Sequence, residues 1–368
     1  MHILVTADTL GGVWTYAREL VSGLVRRGVR VTLLSFGDIP HESQTAWMQG
    51  LRDLDYRPTG FKLEWMQNSE GDMEASLDYL RAVVDETRPD LLHLNQYYYG
   101  ALETEIPKLV VAHSDVVSWW WAVHKQKPVE SAWLRWYRDI VSLGLGGATA
   151  IAAPSAWMLE QIQTHYGPFP RTAVIHNGRT PGLFNPHQAK QEMVVTVGRL
   201  WDGGKNAGLL LRDEMPLPVY IIGADRHPEL NTGAFQMEEI RANVHLEPQQ
   251  DEKQLSSVFA RASIYAATSQ YEPFGLAPLE AALSRCAVVA SDIPSFREVW
   301  DGAAVFFRSN DVQDLRATLE RLAGDPGLRR RHANLCYDRA RRSFTAAGMV
   351  DRYLELYHTL VPASLIAK

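Results

Sequence analysis

The stretch Tyr271-Glu272-Pro273-Phe274-Gly275-Leu276-Ala277-Pro278-Leu279-Glu280 decides the reading of this chain. Ahead of it lies Ala262–Ala267, a short β-prone run, and behind it Ala281-Ala282-Leu283 continues as helix. The order is therefore strand, tight loop and first helical turn. Pro278 suits such a turn, where its missing N–H has no partner to lose. Gly275 lets the backbone approach a ligand closely. The helix start offers free N–H groups and a positive dipole end, which suit a phosphate. Glu272 and Glu280 bracket the loop. Carboxylates repel an anion but accept hydrogen bonds from hydroxyls, as on a sugar or a ribose. The plain alternative is a surface loop with two solvated glutamates.

Working outward, strand and helix patterns alternate along the whole chain. His2–Thr6 reads as a buried strand and Asp8–Gly12 as a loop. The apolar residues Val13, Ala17, Leu20, Val21, Leu24 and Val25 recur at helical spacing until Gly28, and Val29–Phe36 is the next strand. This βαβ unit implies parallel strands. Phe61–Trp65 reads as a strand, Met73–Glu86 as an amphipathic helix, and Asp90–Leu94 and Lys108–His113 as strands. Ser131–Leu145 reads as a helix, Ala148–Ala153 as a strand, and Ser155 as an N-cap. Thr172–Ile175 closes the first half, and Pro181-Gly182 and Asn185-Pro186 mark a linker. The second half opens with the strand Met193–Val197 and continues with strands at Val219–Ile222, Val244–Leu246, Val288–Ala290 and Ala304–Phe307. Helices are expected at Asp251–Arg261, Asp311–Leu322 and Val350–Leu360. The expected class is α/β.

After Val197 comes Gly198-Arg199-Leu200-Trp201-Asp202-Gly203-Gly204-Lys205-Asn206. Arg199 and Lys205 stand in a loop leaving a strand, where two cations suit a diphosphate; two solvated charges are the alternative. Asp53-Leu54-Asp55 has the spacing of a metal-binding pair, but it lies in a polar segment expected to be helix or loop and reads as chance. No metal is expected. Tyr97-Tyr98-Tyr99 and Trp119-Trp120-Trp121 each follow a strand. Three readings stand for them: an acceptor platform using Tyr97, Tyr98, Trp119 and Trp120, core filling, or contact with a membrane surface.

With 368 residues the chain is long for one core and comfortable for two domains. A net charge of −6 argues against a nucleic-acid partner. The only cysteines, Cys286 and Cys336, make no disulfide framework and fit a reducing compartment. No signal peptide and no apolar run of about 18 residues is seen. A cytoplasmic protein is expected, with peripheral contact at the inner membrane face as an extension.

The phrase Glu272–Leu276, then Leu279-Glu280-Ala281, then Ala287-Val288-Val289-Ala290-Ser291-Asp292, resembles the donor site of retaining glycosyltransferases of the two-Rossmann type, the GT-B fold of glycosyltransferase family 4. The resemblance implies two Rossmann-like domains facing across a cleft. An acceptor-side domain would span 1–180 and a donor-binding domain 190–345, with a C-terminal helix within 346–368 crossing back to the first. It implies transfer of a sugar from a nucleotide-diphosphate donor to a hydroxyl of a carbohydrate, lipid-linked or small-molecule acceptor. The donor is then a substrate, and no cofactor is expected. Glu272 would lie against the donor sugar, Glu280 would hold the ribose, and Arg199 and Lys205 would bind the diphosphate. Phe274, Gly275 and Leu276 would complete the donor loop, and Leu246 would lie near the base. His113, ending a strand, resembles the family's histidine near the donor sugar and its phosphate. It joins Glu272, Arg199 and Lys205 in the catalytic set. His93 matches a family position too, but Asn95 replaces the histidine common two residues later, so His93 receives no role. Gly11-Gly12 resembles the family's glycine loop after the first strand, with Gly12 toward the donor. A dinucleotide fingerprint with Asp38 and a plain tight turn are the other readings of that pair. The chain departs from the family at Arg285 and Ala287, where Gly and Pro are usual. A nucleotide-sugar epimerase of the same fold and a non-catalytic nucleotide-sugar-binding protein are the alternatives in function.

Overall fold

The computed structural model describes residues 1–224 and 241–361. The rest of the expected domain ranges, 225–240 and 362–368, lies outside the described residues. The chain divides into two compact units. The first comprises 1–118, 126–178 and the segment from Ala346 on; the second comprises 119–125 and 179–345.

The first unit contains β1 (His2–Asp8), α1 (Gly12–Val25), β2 (Arg30–Phe36), α2 (Glu42–Thr45), β3 (Leu54–Pro58), α3 (Glu70–Thr87), β4 (Leu91–Leu94) and β5 (Lys108–Val111). Then come α4 (Val116–His124), whose last residues belong to the second unit, α5 (Ala132–Gly147), β6 (Ala150–Ala153), α6 (Ala156–Tyr166) and β7 (Thr172–Val174). Among the described residues its strands form one parallel sheet in the order β3-β2-β1-β4-β5-β6-β7. The inner strands are buried along almost their whole length, which is why they read as continuous apolar runs. Ser155 caps α6 as expected, its side chain accepting from Met158 N.

The second unit contains β8 (Gln191–Val197), β9 (Val219–Ile222), β10 (Val244–Glu247), α7 (Glu252–Arg261), β11 (Ala262–Ala267), α8 (Leu276–Leu283), β12 (Ala287–Ser291), α9 (Pro294–Trp300), β13 (Val305–Phe307), α10 (Val312–Gly324) and α11 (Pro326–Ser343). Its parallel sheet runs β10-β9-β8-β11-β12-β13. Apolar clusters form on its two faces, one around Phe274, Phe296 and Trp300, the other around Leu209, Leu315 and Leu319. The final helix, α12 (Ala346–Leu360), returns to the first unit. Its Met349, Val350, Tyr353 and Tyr357 pack with Tyr16, Ala17 and Leu20 of α1.

Both sheets share one topological property that matters for function. In the first, successive strands run outward from β1 to β3, and the chain then returns to the other side of β1 with β4. In the second, they run outward from β8 to β10 and return beside β8 with β11. At such a reversal the loops leaving the two central strands diverge to opposite faces and open a crevice above the carboxyl ends of the strands.

Two segments differ from the sequence expectation, and the core-filling reading describes Tyr97. Phe61–Trp65 is not a strand. Its Glu64 turns inward, and the carboxylate accepts from Tyr97 N at 3.0 Å and Tyr98 N at 2.9 Å, which folds the segment into a buried loop. Asp53-Leu54-Asp55 instead enters β3, an edge strand where charged residues and Pro58 are tolerated. Asp55 there is ion-paired to Arg57 at 2.9 Å. Tyr97 is a core residue, 4% exposed, with its hydroxyl donating to Ser114 O. Its backbone lies so close to α5 that a Cβ on Gly144 would stand 1.8 Å from Tyr97 O, so only glycine fits there.

Candidate active site

The loop after β11 follows from its sequence. Phe274 is buried and meets the Phe344 ring edge-on at 5.4 Å, anchoring the turn. Gly275 occupies the N-cap of α8 with φ 91°, a left-handed conformation in which any Cβ is strained. No side chain caps α8, so its first N–H groups remain available for an anion. Pro278 is the third helical residue and Glu280 the fifth.

The loop after β8 is tied to this one. Gln270 N and Tyr271 N both donate to Gly204 O, at 2.8 and 3.2 Å, and Thr268 Oγ1 donates to Lys205 O at 3.1 Å. The two loops thus form one ledge at the reversal between β8 and β11. On it Lys205 Nζ lies 2.5 Å from Glu272 Oε2, with side chains 29% and 13% exposed. Arg199 is 44% exposed, its Nη2 2.7 Å from Asp202 Oδ2 and its guanidinium over the Trp201 ring at 4.8 Å. The two cations and two carboxylates alternate, which holds Arg199 and Lys205 in place while leaving Arg199 open to a ligand.

Asp202 is a site residue that the sequence reading missed; its only mark was a place three residues after Arg199. Its Oδ1 accepts from Gly204 N at 2.8 Å and from Trp119 Nε1 at 3.1 Å. Burial pushes its carboxyl up, but the Arg199 and Lys205 charges and these two donors outweigh burial and hold it below the ordinary carboxylate range.

Glu280 is engaged by a second residue the sequence did not mark. Arg179, 1% exposed, donates from Nε to Glu280 Oε1 at 2.8 Å and also bonds Glu252, the first residue of α7. Glu280 itself is 11% exposed. Leu246 lies on the edge strand β10, partly buried against the cluster beneath the sheet.

In the first unit, Gly12 opens α1 directly after the loop that leaves β1, and no side chain caps that helix. His113 stands two residues beyond β5. Its Nε2 is 2.7 Å from Asn95 Oδ1, and the Tyr16 ring packs edge-on against it at 4.5 Å. Burial pushes the His113 imidazole down to about 3, so it is neutral at physiological pH. His93 is fully buried, hydrogen-bonded to Tyr16 and Tyr357, and burial likewise brings it down to about 3. It is a structural residue joining α1, β4 and α12. Of the four expected acceptor aromatics, Tyr97 and Tyr98 belong to the first unit and Trp119 and Trp120 to the second. Trp119 serves Asp202, and Trp120 packs on His124 at 4.1 Å.

These buried groups predict a pH dependence of stability. Between roughly pH 4.5 and 6.5 the unfolded chain protonates both histidines while the folded chain does not. Glu64, raised by burial to about 7, acts oppositely: folded it keeps a proton that the unfolded chain releases. Two protons against one leave the unfolded state with about one more bound proton, so stability rises with pH across this window by about 1.4 kcal/mol per unit. His2 and His165, also lowered chiefly by burial, add to that slope. Urea unfolding at several pH values tests this, and Glu64→Gln should steepen the slope toward that of two protons. A flat profile would contradict it.

Residues 10–181 match the family described as Glycosyltransferase Family 4, and residues 185–338 match Glycosyl transferases group 1. Among curated proteins, the serotype-specific mannosyltransferase WbdA of Escherichia coli is 26% identical over 141 residues, 38% of this chain and 16% of that protein. Alpha-maltose-1-phosphate synthase of Mycobacterium tuberculosis is 30% identical over 112 residues, 28% of this chain and 29% of that protein. The chain thus matches only part of the length of these relatives. Among solved structures, sucrose-phosphate synthase of Thermosynechococcus elongatus superposes with a TM-score of 0.80 at 17% identity, covering 98% of this chain and 99% of that one. Anabaena HepE in complex with UDP-glucose superposes with a TM-score of 0.75 at 16% identity, covering 98% and 100%. Two parallel sheets of this topology and family matches spanning both units lead to one conclusion: the chain belongs to the GT-B glycosyltransferases of family 4.

Proposed function

We propose that the protein transfers a sugar from a nucleotide-diphosphate donor to an acceptor hydroxyl, with retention at the anomeric carbon and without a divalent metal, in the synthesis of a polysaccharide, glycolipid or glycoconjugate. The observation that carries this reading is the ledge at the reversal of the second sheet, where Arg199, Lys205 and the uncapped start of α8 converge beside Glu272. As the glycosidic bond breaks, negative charge grows on the leaving phosphate. Arg199, Lys205 and the helix N–H groups stabilise it, and preorganised charge of this kind is usually the largest catalytic contribution. Glu272 faces the sugar, Glu280 takes the ribose hydroxyls, and Leu246 lies toward the base. By the family resemblance, Gly12 and His113 are also assigned to the donor. The complex of HepE with UDP-glucose supports a nucleotide-sugar donor, and the match to the mannosyltransferase WbdA supports a hexosyl group.

The two cations supply the charge that a metal would otherwise provide, so turnover is expected to survive EDTA. Loss of activity in chelator, restored by magnesium or manganese, would overturn the metal-free reading. The glutamates are separated by calorimetry with UDP, GDP and ADP, beside steady-state kinetics with the matching nucleotide sugars. Glu280→Gln should weaken binding of the free diphosphate by roughly 10- to 100-fold, the worth of a hydrogen bond to a charged group. Glu272→Gln should leave that affinity nearly unchanged and lower kcat, because its contact is to the sugar and tightens as the reaction proceeds. The reverse pattern would sink the assignment.

A further inference from the structure

His113 is the one imidazole in the proposed catalytic set, and its surroundings determine which of its nitrogens carries the proton. Asn95 follows β4, and β1, β4 and β5 are neighbours in the sheet, so Thr6, Asn95 and His113 meet at their carboxyl ends. Asn95 N donates to Thr6 Oγ1 at 2.9 Å, and Asn95 Nδ2 donates to Thr6 O at 2.5 Å. A backbone carbonyl only accepts, so the amide nitrogen must face Thr6. Turning the amide over would set two acceptor oxygens against each other at that distance. Oδ1 therefore faces His113, 2.7 Å from Nε2. That oxygen too only accepts, so Nε2 carries the hydrogen. In a neutral imidazole the other nitrogen then bears only a lone pair. Thr6 is wholly buried, so this orientation is set from within the sheet. The Tyr16 ring against the imidazole fixes its plane.

We propose that Asn95 is a positioning residue for His113: anchored on Thr6, it locks the imidazole as the Nε2–H tautomer and presents Nδ1 to the ligand as an acceptor only. This rests on His113 serving the donor. A neutral acceptor takes the hydrogen of a hydroxyl and repels a phosphate oxygen. His113 then serves the donor through a sugar hydroxyl, and the phosphate charge is left to Arg199 and Lys205.

The test is the long-range proton–nitrogen NMR correlation of the histidine rings in the full chain near pH 7, with His113 assigned by its loss in His113→Gln. The wild type should show a protonated Nε2 and a bare Nδ1. Asn95→Leu removes the acceptor at similar volume and should shift His113 toward the other tautomer. It should also lower kcat/KM for the donor by about tenfold, with affinity for the free nucleoside diphosphate within about twofold. A wild-type spectrum with Nδ1 protonated, with both nitrogens protonated, or with no tautomer change in Asn95→Leu overturns the proposal. The wild-type spectrum decides even if the leucine variant does not fold. Absence of transfer from any nucleotide sugar, with the Nε2–H form observed, would instead overturn the proposed function and leave the tautomer lock standing.

Discussion

Lys205→Met is expected to lower kcat by about 100- to 1,000-fold, the usual loss when one preorganised donor to a developing negative charge is removed. The side chain lies on a ledge built from two loops, with its ammonium on Glu272. Under the proposed function, Lys205 shares the diphosphate charge on that ledge with Arg199 and the start of α8. The variant also leaves Glu272, only 13% exposed, without its cation, so the proposed sugar contact should suffer with the proposed phosphate contact. Lys205→Arg restores the charge with a different geometry and should recover part of the loss. Arg199→Gln should also lower kcat, yet change stability by no more than about 1 kcal/mol, because an ion pair involving so exposed a side chain contributes little. Turnover of Lys205→Met within tenfold of wild type, at an unchanged thermal midpoint, would remove Lys205 from the catalytic set.

Arg179→Met is expected to show the largest effect on stability. The guanidinium is buried between Glu280 and Glu252, and its backbone N–H donates to Phe344 O at 3.0 Å. Arg179 also bridges Thr345, so the points where the chain enters and leaves the second unit are joined at this residue. Removing one partner of a buried ion pair leaves an uncompensated charge and costs about 3–5 kcal/mol. For a unit of this size that is a fall of roughly 6–20 °C in Tm. The double variant Arg179→Met, Glu280→Gln should recover much of the loss, since the stranded charge is gone, although the nucleotide affinity that Glu280 supplies is not restored. Glu280→Gln alone should be milder, because Arg179 keeps Glu252. Thermal unfolding of the three variants checks this, and a midpoint for Arg179→Met within about 2 °C of wild type would show that the charge on Glu280 is compensated in another way.

Much of the fold was legible in the chain because its cause is local. Val13, Ala17, Leu20 and Val21 repeat with the helical period because one face of α1 is buried. Ile264 to Ala267 and Val288 to Ala290 read as unbroken β-prone runs because both faces of a parallel strand are covered. The donor phrase was legible for the same reason: strand, positive-φ glycine, proline-bearing helix start and two glutamates stand within a few residues of one another. Boundaries were less clear, and Phe61–Trp65 was misread. Its apolar run looks like a strand, but its fate depends on Glu64 finding the N–H groups of Tyr97 and Tyr98 more than thirty positions away. Leu54 to Pro58 was missed for the converse reason, since an edge strand needs no apolar pattern.

Local pattern in the chain was enough for most of the elements, for the α/β alternation in two halves, and for marking Arg199, Lys205, Glu272 and Glu280 as charged residues of two loops that each leave a strand. Strand order came from the folded sheets, and with it the two reversals that bring loops from β8 and β11, and from β1 and β4, side by side. Pairings across those reversals follow from strand order and not from spacing. Lys205 with Glu272, Arg179 with Glu280, Trp119 with Asp202, and Thr6 with Asn95 and His113 join residues far apart in the chain. Each residue bears an ordinary polar side chain that says nothing of its partner. Burial decides which of these contacts matter, because a charge or amide taken out of water must be matched where it lies, and only the folded sheet determines what lies beside it.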